Sequence, residues 1–110
     1  MPPSPSTQSL FLALADHTRR QLIETLANEG EKSATELAAI FPITRQGISK
    51  HLRILLDANL VQVRQQGRDK LYHLQPEQLR EATAWINNIQ SQWDRRLQTL
   101  STYLDKTNKE

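Results

Sequence analysis

The sequence predicts a mainly α protein with a small β-hairpin: a winged helix-turn-helix carrying a long C-terminal dimerisation helix. Three observations predict it. A short capped helix is followed, across a turn of about three residues, by an amphipathic helix over residues 44–59, TRQGISKHLRILLDAN. After Asn59 the apolar period switches from helical to alternating, as a hairpin requires. Beyond Pro76, apolar residues recur every three or four positions to Leu104, with no glycine or further proline between.

Composition bounds the answer. The chain has 110 residues, enough for one domain with a modest core. Hydrophobic residues make up 37% and aromatics 5%, so one copy covers its apolar faces incompletely and a homodimer is expected. A net charge of +2 says little about partners; where the cations sit decides more. The absence of cysteine removes disulfides and thiolate metal sites. No apolar run approaches membrane-spanning length and no signal peptide precedes the first helix, so a cytoplasmic location without a membrane partner is expected.

Residues 1–7, MPPSPST, hold three of the five prolines and are expected to form a mobile tail before a domain spanning residues 8–105. Residues 8–15 read as a short helix with Leu10, Phe11 and Leu14 at helical spacing. Asp16 suits the N-cap of a second helix, whose stripe is Leu22, Ile23 and Leu26 and whose stop is Gly30. Arg19 and Arg20, at its start, read as facing water rather than phosphate. Ser33 and Glu36 have capping-box spacing. The helix they open should turn Leu37, Ile40 and Phe41 inward, and Pro42 halts it.

The central helix has Thr44 as N-cap and Asn59 as a residue able to end it in a left-handed conformation. At steps of roughly 100°, Ile48, Leu52 and Leu55 share the inner side. Arg45, Gln46, Ser49, Lys50, Arg53 and Asp57 share the outer side. Arg and Gln can each bond two atoms of one base edge in a major groove, so double-stranded DNA is the expected partner of this face. A winged helix used instead as a protein-interaction module would want apolar or mixed groups there. Gly47 leaves two readings open: close approach of the helix backbone to DNA, or close packing against the preceding helix.

Residues 60–64 and 70–74 read as two strands, joined by a polar turn over 65–69 that contains Gly67. Such a hairpin is a wing, and its cations Arg64, Arg68 and Lys70 are expected at DNA phosphates. The last helix, about 28 residues and ~40 Å long, exceeds what so small a domain needs. Its stripe is close to a heptad pattern. Ile86, Ile89, Trp93, Leu97, Leu100 and Leu104 should meet a second subunit, with Leu10, Phe11 and Leu14 of the first helix assisting. Trp85 widens the apolar arc, and residues 106–110 read as a polar tail.

The order of elements and several strings resemble the ArsR/SmtB family of winged-helix transcriptional repressors. The strings are LADHTRRQLIETL, ATELA, ISKHLRILLDANLV and GRDKLYHL, together covering about Leu10 to Leu74. The ending, with Trp85 and SQWDRRLQTLSTYLDK, is similar to a branch without metal ligands. The resemblance implies a dimeric repressor that lays one helix of each subunit into a major-groove half-site of an inverted repeat. It implies that Gln46, Ser49, Lys50 and His51 occupy DNA-touching positions, with Arg45 beside them. The cysteine pair of some metal sensors would fall on Ser33 and Thr35, and the last helix contains no histidine, so no metal or other cofactor is expected. The residues name no effector. Two departures from the family pattern stand out: His17 replaces a common proline, and Pro42-Ile43 replaces a turn that usually holds glycine. An enzyme is not expected, because there is no cysteine nucleophile, no glycine-rich phosphate loop and no arguable Ser-His-Asp grouping.

Overall fold

A computed structural model describes residues 5–108. The elements run α1 (Pro5–Leu14), α2 (His17–Glu29), α3 (Ala34–Ile40), α4 (Arg45–Asp57), β1 (Val61–Gln66), β2 (Asp69–Leu74) and α5 (Glu77–Asn108). Residues 1–4 and 109–110, which fall in the expected tails, lie outside the described residues. Both tails are shorter than the sequence suggests. Pro5 starts α1, where a missing N–H costs nothing, and Thr7 is buried, its hydroxyl donating to Glu81 Oε2 at 3.1 Å. At the other end α5 continues through residues 106–108.

Local capping sets the three helices of the core. Asp16 accepts from the Arg19 N–H, and Gly30, at φ 86°, closes α2. Ser33 and Glu36 form both bonds of the capping box. Thr44 Oγ1 accepts from the Gly47 N–H at 3.1 Å, and Asn59, at φ 59°, follows the end of α4. These caps aim the inward stripes at one another. Leu22, Leu37, Ile48, Leu52, Leu55 and Leu60 retain no exposed surface, and Leu10 of α1 completes the cluster. Ile40 departs from expectation and is 50% exposed. Leu37 and Phe41, four residues apart, take the inward face at the end of a seven-residue helix, which leaves Ile40 to one side.

The hairpin is tighter than the alternation suggests. Gln65 pairs with Lys70 and Gln66 with Asp69, so the turn is only Gly67-Arg68, with Gly67 at φ 62°. β2 is also tied to the linker before α3: the Lys32 N–H donates to the Tyr72 carbonyl at 3.1 Å, and the Tyr72 N–H to the Lys32 carbonyl at 2.8 Å.

The first turns of α5 pack on α1, with Ala82 buried and Phe11 edge-on to Trp85 at a centroid distance of 5.3 Å. Beyond them the helix projects from the domain. The molecule is 76 × 26 × 20 Å, with a radius of gyration of 20.1 Å against the ~13 Å of a compact chain this size. Ile86, Ile89, Trp93, Leu97, Leu100 and Leu104 are between 45% and 56% exposed on the projecting part. Ile86, Ile89 and Trp93 recur eleven residues later as Leu97, Leu100 and Leu104. An eleven-residue repeat packs straight or slightly right-handed, unlike the heptad the steps first suggest. Leu10, expected at a dimer interface, is fully covered by its own chain, and Phe11 and Leu14 pack largely against the same core. The large apolar residue that α1 leaves exposed is Leu12, at 70%.

Candidate nucleic-acid interface

The outward face of α4 follows from its buried one. With Ile48, Leu52 and Leu55 fixed in the core, helical geometry turns Arg45, Gln46, Ser49, Lys50 and Arg53 to solvent, and all five are exposed. A cleft of about 310 Å³ runs between this face and the hairpin, bordered by Arg45, Ser49, Arg68, Lys70 and Tyr72, with one acid, Asp69, among them. It continues along Lys50, Arg53 and Val63. Helix and wing thus present one continuous surface, polar near Arg45 and Arg68 and mixed where Leu56 and Val63 line it. Arg45, Lys50, Arg68 and Lys70 have no ion pair among the described residues, so their charge is available to a polyanion.

Gly47 is now explained. A Cβ there would lie 2.6 Å from Ile43 Cγ2 and 3.4 Å from Thr44 Oγ1. The glycine therefore serves close packing, not against α3 itself but against the turn that follows it. Pro42-Ile43, the departure from the family's turn, supplies the side chain that leaves Gly47 no room.

Three expected contacts are engaged elsewhere. Arg64 is held by the α2–α3 linker: its Nε donates to Glu31 Oε2 at 2.6 Å and its Nη2 to Glu31 Oε1 at 2.8 Å. That hydrogen bond, with the charge behind it, holds the Glu31 carboxyl below its ordinary range and raises the Arg64 guanidinium above its own. His51 turns toward the α1–α2 junction, with its Nδ1 at 3.4 Å from Arg19 Nη1 and 3.9 Å from Asp16 Oδ2. Its side chain is 24% exposed, less open than Gln46, Ser49 and Lys50 beside it. Arg53 stays exposed but lies 3.5 Å from Asp57, one turn on. Thr44 is exposed, with its hydroxyl oxygen accepting the cap bond.

Arg20 is exposed, as expected, and Arg19 is partly buried, and both are also hydrogen-bonded within the chain. Arg19 donates to the carbonyls of Ala13 and Leu12 at 2.7 and 3.2 Å, and Arg20 to Leu14 at 2.7 Å. They bond carbonyls at the end of α1, a task basic side chains near a helix C-terminus often perform; the Leu12 carbonyl also accepts from the Ala15 N–H. The missed signal was their distance of six or seven residues from those carbonyls, across a tight corner. Among the described residues, no group of three or more His, Cys, Asp or Glu could hold a metal ion, and no helix is long and apolar enough to cross a membrane.

These elements define a winged helix-turn-helix protein. Residues 14–64 match a family model described as a helix-turn-helix domain. The chain is 37% identical over 100 residues to the HTH-type transcriptional regulator Rv2034 of Mycobacterium tuberculosis, covering 91% of this chain and 90% of that protein. It is 30% identical over 86 residues to the transcriptional repressor SdpR of Bacillus subtilis, covering 78% and 94%. Its fold is similar to that of an ArsR-like transcriptional regulator from Rhodococcus sp. RHA1, with a TM-score of 0.83, 32% identity and 92% of each chain covered. The chain belongs to the ArsR/SmtB family of winged-helix transcriptional regulators.

Proposed function

We propose that this chain is a cytoplasmic, non-enzymatic repressor that binds double-stranded DNA as a homodimer. α4 of each subunit enters one major groove of an inverted repeat, and the wings hold flanking phosphates. One observation carries the proposal: the exposed side of α4 joins the hairpin in a single surface that holds Arg45, Lys50, Arg68 and Lys70, none of them in an ion pair among the described residues. On that surface Gln46 and Ser49 are suited to base edges, whereas Arg45, Lys50, Arg68 and Lys70 can meet bases or phosphates. The second subunit joins through the exposed row of α5, placing the two reading helices about 34 Å apart. A bound dimer near a promoter blocks polymerase, and any signal acts by altering the spacing or tilt of those helices.

The test is titration of a fluorescent duplex from the region upstream of the chain's own gene at several salt concentrations. Four unpaired cations per subunit set a ceiling of about −7 on the slope of log affinity against log salt for the dimer. Arg45→Ala and Lys50→Ala lower affinity and flatten that slope while sedimentation still shows a dimer. Full affinity in either variant would show that the reading face is wrongly assigned. No duplex binding even at low salt would favour a protein-interaction module.

A further inference from the structure

The wing of a small hairpin is marginally stable alone and needs something to fix its direction. Here the fixing residues are consecutive and sit outside the hairpin. Lys32 pairs through its backbone with Tyr72 of β2, as a short third strand would. Glu31, immediately before it, grips Arg64 of β1 with both carboxylate oxygens, and its Oε2 lies 3.5 Å from His73 Nδ1 on β2. One carboxylate therefore touches both strands of the wing. The linker that carries it leads directly into α3, the first helix of the helix-turn-helix.

We propose that Glu31 is a positioning residue for DNA binding: it locks the wing to the helix-turn-helix at the angle at which Arg68 and Lys70 meet phosphate. The proposal rests on the wing's assignment as a phosphate-gripping element. Arg64 on this view is a strut and touches no DNA. Two-point geometry matters more than the strength of the pair. Glu31 is 33% and Arg64 49% exposed in their side chains, and pairs so exposed add little to global stability. A bidentate arginine–carboxylate contact nevertheless fixes an orientation that a single bond would leave free to pivot. Unfastening it should loosen the hairpin without unfolding the domain.

The sign of the expected effect is diagnostic. Removing an acidic residue near a DNA-binding surface ordinarily tightens binding, because repulsion of phosphate falls. Glu31→Ala should weaken it. The probes are two duplexes from the protected region upstream of the chain's own gene, one trimmed to the major-groove half-sites and one extended under the wings. Glu31→Ala and Arg64→Glu should lose affinity for the extended duplex and bind the trimmed one as the parent does. The charge-swapped variant carrying Glu31→Arg and Arg64→Glu should regain affinity for the extended duplex. In Glu31→Ala, amides of β1 and β2 should exchange hydrogen faster, with those of α4 unchanged. Tighter binding by Glu31→Ala, an equal loss on both duplexes, or no recovery on charge swap would overturn the proposal. If the parent protein binds neither duplex, the DNA-binding assignment fails, and the exchange experiment alone decides whether Glu31 locks the hairpin.

Discussion

Substituting alanine for Gly47 sets two effects of known sign against each other. Alanine in a helix interior is favoured over glycine by up to ~1 kcal/mol, so an exposed site would gain that amount. Here the new Cβ would lie 2.6 Å from Ile43 Cγ2. That is roughly 1 Å inside ordinary carbon–carbon contact. The methyl cannot swing clear alone, because it is attached to the branched Cβ of a stiff side chain. Ile43 is also packed against the core, so it must leave its rotamer or push its neighbours. The first costs about 0.5–1.5 kcal/mol and the second about 1–3 kcal/mol. Gly47→Ala should therefore show none of that gain, with a net effect between about zero, if a rotamer change suffices, and a loss of up to ~2 kcal/mol, if the neighbours must move. In an Ile43→Ala background the obstructing methyl is gone, and the same change should stabilise by up to ~1 kcal/mol. The assay is urea denaturation of the four proteins at one fixed concentration, followed by far-ultraviolet circular dichroism, read as a double-mutant cycle. Equal effects of Gly47→Ala in the two backgrounds would refute the packing explanation. A gain in stability with lost DNA affinity would restore the alternative, close approach of the backbone to DNA.

Two further perturbations follow from the same geometry. Asp16, Glu31 and Glu36 all have carboxyls held below their ordinary range: by the Arg19 backbone N–H, by the Arg64 guanidinium and by the Ser33 backbone N–H respectively. A folded-state value below the unfolded one gives stability that is present above the unfolded value and lost as pH falls through the folded one. The urea midpoint should thus be level at neutral pH and decline below the ordinary values of 4.5 for the two glutamates and 3.8 for Asp16. A midpoint unchanged down to about pH 3 would contradict these assignments. In α5, Leu97→Asp places a charge in the exposed row; sedimentation should show a monomer with reduced helicity, and a persistent dimer would move the subunit interface elsewhere.

What could be read in the sequence is what depends on near neighbours. Asp16, Ser33 with Glu36, and Thr44 each bond a group three residues away, so spacing alone located the helix starts. The stripe of α4 was legible for a similar reason, since Ile48, Leu52 and Leu55 stand at helical steps and share one side, which Ile54, 41% exposed, does not. Two features lay at the limit of that reasoning. A seven-residue α3 is too short for its period to fix Ile40, and the five-residue polar segment of the hairpin hid how far pairing continues. The seam of α5 needed counting over more than one repeat before eleven replaced seven.

The candidate site was less legible, because charge reports composition and pairing reports fold. Arg64 and Arg68 stand four residues apart in one hairpin and look equivalent. Glu31, 33 residues upstream of Arg64, makes them different. Arg19 meets His51 across 32 residues, and that contact directs the imidazole to the α1–α2 corner, which spacing within α4 alone does not reveal. Alternation and periodicity fix the side of an element on which a residue lies, whereas its partner depends on where distant segments cross. A count of cations on a presumed binding face is therefore an upper bound, and it becomes a forecast of salt dependence only after subtracting those held by the protein's own acids. Arg64, held by Glu31, and Arg53, beside Asp57, fall out of that count, while Arg45, Lys50, Arg68 and Lys70 remain. A chain with a net charge of only +2 can grip a polyanion because four cations without an ion pair among the described residues lie together on one side of it, where Asp69 is the one acid lining the cleft between helix and wing.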